Sequence, residues 1–131
     1  MPYIQIMKTV IETPTYLRQA KAAGASWDEL DTIVREIADD PERGDIIPGT
    51  GGACKRRFAR AGQGKRGGYR VIFYTAAEDV PVFLLALMSK GQRADLTQGE
   101  RNELRQVLGG IAEAYRASVR AKVQTLRGRV R

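Results

Sequence analysis

Apolar residues recur along the chain in two rhythms, and the changes of rhythm mark the elements. The run YIQIMKTVI from Tyr3 to Ile11 is rich in β-formers, interrupted by Gln5, Lys8 and Thr9, and reads as a first strand. Thr13-Pro14 has the form of an N-cap followed by a first helical residue, and Gly24 suits the C′ position that closes the helix. Ser26-Trp27-Asp28-Glu29 fits a capping box, in which the serine caps the third helical amide and the glutamate reaches back to the serine amide. Leu30, Ile33, Val34 and Ile37 then fall on one helical face, and Asp39-Asp40-Pro41 stops the helix. Trp27, just inside the cap, is expected to be a packing anchor.

Beyond a proline- and glycine-rich loop, PERGDIIPGTGG, the rhythm changes to that of strands. Ala53–Arg60, Tyr69–Ala76 and Val82–Ser89 are expected to form an antiparallel meander, because the links between them are short. The last of these is apolar on both faces, which predicts a central place in the sheet. Thr97 and Glu100 form a second capping box. Leu104, Val107, Leu108, Ile111, Tyr115, Val119, Val123 and Leu126 follow at helical spacing. The expected order is β-α-α-β-β-β-α, an α+β domain spanning 1–131, with a basic C-terminal helix or tail from about residue 111. No internal repeat or separating linker is visible.

Composition narrows the chemistry. The chain has 131 residues, a single cysteine (Cys54) and no histidine. Lacking histidine, it has no Ser/His or Cys/His relay, and its set of metal ligands is poor, so neither a metal nor a cofactor is expected. Lys, Arg, Tyr or carboxylates must carry any catalysis. No apolar run reaches the roughly 18 residues of a membrane span, and the start lacks the form of a signal peptide. A cytoplasmic protein with no membrane partner is therefore expected, and Cys54 reads as packed or inert.

The net charge of +7 points to an anionic partner, nucleic acid first, and its distribution sharpens the point. From Cys54 to Tyr74 there are Lys55, Arg56, Arg57, Arg60, Lys65, Arg66 and Arg70 but no acid. Strand alternation puts Lys55 with Arg57, and Arg70 with Ile72 and Tyr74. If Arg57 pairs near Arg70, three cations converge on one patch of sheet, a repulsion that an anion relieves. The segment GQGKRGGYR also holds Gly62-x-Gly64-x-x-Gly67, a formal dinucleotide-binding match. A strand pattern follows it where that motif needs a helix, so it is expected to be a hairpin tip presenting Lys65 and Arg66.

The motifs GDIIPGTGGACKRR, GKRGGYRVIFY, LLALMSK and DLT together resemble the RelE/HigB group of toxins from bacterial type II toxin–antitoxin pairs, over roughly Pro41 to Leu104. The resemblance implies a RelE/ParE-like α+β fold, an antiparallel sheet with helices packed on it. It implies metal-independent cleavage of mRNA on the ribosome. The implied partner is a cognate antitoxin, often a helix-turn-helix protein, with operator DNA reached only through it. By position it assigns catalysis to Lys55, Arg57, Arg70, Tyr74 and Lys90, with Arg60, Lys65, Arg66 and Arg93 left to contact RNA. Lys55 would act as general base, favoured by repulsion from Arg57 and Arg70. Two positions depart from the pattern: Cys54 replaces a basic residue and Met88 replaces a tyrosine. The same fold also carries toxins that inhibit DNA gyrase without cutting RNA, and a catalytically weakened RNA-binding member is a further alternative.

Overall fold

The computed structural model describes residues 7–62, 64–89 and 95–130, without the side chains of 64–67 and 130. The elements are β1 (Val10–Glu12), α1 (Pro14–Ala22), α2 (Trp27–Asp39), β2 (Asp45–Ile46), β3 (Cys54–Arg60), β4 (Gly64–Tyr74), β5 (Val82–Ser89) and α3 (Gln98–Val130). They build an α+β fold around a five-stranded sheet of order β1-β5-β4-β3-β2. β2 to β5 are antiparallel, while β1 runs parallel to β5.

Local chemistry explains both helices of the hairpin. Thr13 Oγ1 accepts the Tyr16 amide, and Pro14, with no amide to satisfy, opens α1. Gly24, at φ +73°, takes the left-handed turn after its end. The Ser26–Glu29 box starts α2, with bonds of 2.8 and 3.1 Å. Ile33 and Ile37 are buried on its inner face, Leu30 and Val34 beside them, with Tyr16 and Ala20 of α1. Burial is worth roughly 1.5–3 kcal/mol for each large aliphatic side chain. These residues cover one sheet face through Phe58, Tyr69, Val71, Phe73, Leu84 and Leu87.

The other face is covered by the first half of α3. Leu96, Leu104, Leu108 and Ile111 pack with Ile47, Ala53, Ile72, Met88 and Ala86. The Thr97–Glu100 box starts this helix. Further along, Arg116 fastens it to Asp79 in the β4–β5 turn through bonds of 2.6 and 2.8 Å.

Four expectations are corrected. The first strand is short: residues 7–9 are not strand, and Tyr3 to Ile6 lie outside the described residues. The loop before β3 contributes a two-residue strand, β2, against Cys54 and Lys55. The stretch from Gly64 to Gly67 is no hairpin tip. It continues β4, Gly64 pairs with Arg60, and the turn lies at Ala61-Gly62 with Gly62 at φ +79°. Extended backbone is open to glycine as to other residues, and here the ladder with β3 takes it up. Finally, Trp27 anchors nothing, being 89% exposed at the start of α2. β5 is interior, flanked by β1 and β4, although β4 holds the middle of the sheet.

Candidate functional site

The β3–β4 register sets the site. Arg57 stands directly opposite Arg70, Lys55 opposite Ile72, and Asp45 of β2 opposite Lys55. Directly paired residues share a sheet face. One face therefore carries a row of Arg57, Arg70 and Met88 beside a row of Asp45, Lys55, Ile72 and Ala86. Apolar members of these rows are sealed under α3, leaving the cations at the margin of that core. Arg57 is exposed; Lys55 and Arg70 are half-buried.

A cleft of about 500 Å³ opens here, lined by Arg43, Gly44, Asp45, Lys55, Arg57 and Arg70, with Glu36 and Arg56 at its other wall. Gly44 lets the loop close on the strand: a Cβ there would lie 2.8 Å from the Phe73 ring and 3.1 Å from the Lys55 carbonyl oxygen. That approach brings Arg43 and Asp45 beside Lys55. Sequence reading passed over Arg43, because only the fold of its loop carries it to the strand.

Asp95 was missed as well. It lies just before α3, accepts the Leu96 amide at 2.8 Å and pairs with Arg101 at 3.3 Å. The Leu96 hydrogen bond, then the charges of Lys55, Arg101 and Arg70, hold its carboxyl below the usual range against the opposing effect of burial. The cations thus lie between carboxylates, Asp45 on the β2 side and Asp95 on the α3 side. The signal was the acid just ahead of the Thr97 cap, which the DLT motif contains.

The remaining sequence candidates are dispersed. Tyr74 shares the face of Arg70 but lies four residues along β4, roughly 13 Å away at ordinary strand rise. It is half-buried against the α3-side core, its ring close to Gly52. Arg60 has its guanidinium 5.6 Å from the centroid of Tyr69, which belongs to the core under α1 and α2, on the face away from the cluster. Arg56 is likewise occupied, by Glu36 at 3.7 Å and the Phe58 ring at 5.0 Å. Lys65 and Arg66 lie on β4, with side chains not described, and Lys90 and Arg93 lie outside the described residues.

The two departures from the family pattern have plain consequences. Met88 is buried opposite Arg70, where its thioether fills core volume and offers no proton. Burial, then Glu42 and Asp45, pushes the Cys54 thiol up, which leaves it a weak nucleophile. Among the described residues no group of three His, Cys, Asp or Glu side chains could hold a metal ion, and no helix is long and apolar enough to cross a membrane. What the arrangement can do is bind a phosphate: fixed guanidinium groups hold oxygens in a fork, and the lysine adds a point charge. A family model described as RelE toxin of RelE / RelB toxin-antitoxin system matches residues 7–128.

Proposed function

The chain belongs to the RelE toxin family, and on that premise we propose that it is a metal-independent endoribonuclease that cuts mRNA on the ribosome. As a toxin of a toxin–antitoxin system it has a cognate antitoxin as partner; a helix-turn-helix antitoxin is part of the proposal. The observation that carries the nuclease reading is the direct pairing of Arg57 with Arg70, with Lys55 alongside, in one open cleft.

The chemistry runs without an external nucleophile. The 2′-hydroxyl of RNA attacks the adjacent phosphorus and gives its proton to the Lys55 amine. The bond to the 5′-oxygen breaks, and that oxygen takes a proton from Lys90. The products are a 2′,3′-cyclic phosphate and a 5′-hydroxyl end. Arg57 and Arg70 stabilise the extra charge on the phosphorane, the term for which preorganised donors matter most. Tyr74, farther along the same sheet face, stacks on a base flanking the cut rather than at it. Lys65 and Arg66 on β4, with Arg93, hold flanking RNA backbone, and Arg60, turned to the other sheet face by Tyr69, takes no part. Asp45 opposite Lys55, and Asp95 near Lys55 and Arg70, offset part of the positive charge until phosphate replaces them as counter-ion.

Induced expression followed by mapping of mRNA 5′ ends tests this reading. New ends in phase with codons and bearing 5′-hydroxyl groups are expected. Growth arrest with intact mRNA would overturn it, and a DNA-damage response in those cells would point to gyrase.

A further inference from the structure

α3 is longer than the body it packs on. Its last ties to the sheet are Tyr115, whose ring meets Phe83 edge-on at 6.3 Å, and Arg116 on Asp79. From Ala117 to Arg129 every residue is exposed. At 1.5 Å per residue this free part projects about 20 Å.

The free part is not uniformly polar. Val119, Val123 and Leu126 are 40, 39 and 59% exposed. With 3.6 residues per turn they continue the stripe of Leu108, Ile111 and Tyr115 that meets the sheet lower down. An apolar seam of this spacing is the kind that receives another helix.

The cations sit on the flanks of that seam. By helical spacing Arg120 and Arg127 border it on one side, Lys122 and Arg129 on the other. The far side carries Ala117, Ala121, Gln124 and Gly128, small or neutral. Lys122, Arg127 and Arg129 have no ion pair to any described residue. Arg120 pairs within its own helix, with Glu113 at 2.9 Å. After Glu113 the chain has no acid.

We propose that this outer half of α3 is a docking surface for an acidic amphipathic helix of a different protein. That helix lays its apolar residues on Val119, Val123 and Leu126 and sets its carboxylates against the flanking cations. Flanking positions select partners by charge in paired helices. A second copy of this chain brings cations to both flanks in either orientation, so its own charge opposes self-pairing. An RNA-binding helix turns cations to the phosphates, whereas here an uncovered apolar seam occupies the middle of the contact face.

The test measures fluorescence anisotropy with the full chain and labelled synthetic helical peptides. One peptide has leucines at the seam and glutamates at the flanks; another has the same leucines and lysines at the flanks. The acidic peptide is expected to bind at least about tenfold tighter than the lysine peptide. Val123→Glu is expected to abolish that binding, and Gln124→Glu on the far side to leave it unchanged. Both are surface changes, and circular dichroism confirms helix content. Equal binding of the two peptides, or loss of binding with Gln124→Glu alone, overturns the proposal. So does a dimer in sedimentation that Val123→Glu dissolves, or a uridine-rich RNA whose binding depends on Val123.

Discussion

Arg57 and Arg70 face each other residue for residue across the β3–β4 ladder, two side chains of the same charge on one sheet face. Such an arrangement carries a cost of roughly 0.2–1 kcal/mol in the absence of a counter-ion. Arg57→Ala is therefore expected to leave the melting temperature of the RNA-free protein unchanged or raised. The same change is expected to slow RNA cleavage about 10²–10³-fold. Melting curves and cleavage rates on the same preparation check both halves; a loss of stability would show that the pair is held by contacts within the protein.

Asp95, on the α3 side, interacts electrostatically with Lys55 and Arg70, and its charge competes with phosphate. Asp95→Asn keeps an oxygen for the Leu96 amide and removes the charge. Binding of a short RNA is expected to tighten and to depend more steeply on salt, because fewer cations are neutralised in advance. Anisotropy titrations across a salt series read this out. Weaker binding would mean that Asp95 serves the site by holding Arg101 in place.

Lys55 has two possible duties, as proton acceptor and as charge. Lys55→Arg keeps the charge and removes the titratable amine, since arginine stays protonated. Cleavage is expected to fall well below wild type, while RNA affinity stays near wild type. Full activity would leave Lys55 with electrostatics alone.

Glu29 ties the helical hairpin to the sheet. Its carboxylate accepts the Ser26 amide, the Tyr69 hydroxyl at 3.0 Å and the Ala61 amide at 3.0 Å, joining the start of α2 to β4 and the β3–β4 turn. Burial pushes this carboxyl up, but those donors together outweigh it and hold it below its ordinary value of 4.5. A depressed folded value means the stabilisation is complete above 4.5 and is lost as pH falls through the lower, folded value. Unfolding measured against pH is expected to show this acid-side loss, and Glu29→Gln to flatten it, because the amide keeps an acceptor oxygen but does not titrate in this range. An unchanged acid limb in the variant would remove Glu29 from that role.

How much of this was legible in the sequence follows the range of the forces involved. The caps at Thr13, Ser26 and Thr97 involve neighbours three residues away, and each formed as read. The pairing of Arg57 with Arg70 was legible only as a condition, because the ladder is irregular between Phe58 and Arg60: the register of Arg60 with Gly64, continued without that shift, would set Arg57 opposite Gly67. The run of β4 through Gly64–Gly67 was not legible, because glycine weakens the local signal and the ladder with β3 decides. Nor was β2, whose two residues exist as strand only against Cys54 and Lys55. The site's outer members, Arg43 and Asp95, arrive on loops placed by packing that no local pattern encodes. Arg60 went the other way: its charge looked available, yet the Tyr69 ring holds it on the opposite face.

The most direct measurement of the central claim is the rate of ribosome-bound mRNA cleavage by Arg70→Ala relative to wild type, with the fold of both confirmed by circular dichroism. The cluster predicts a fall of about 10²–10³-fold with cuts at the same positions. Equal rates would contradict the assignment of the cleavage site to Lys55, Arg57 and Arg70.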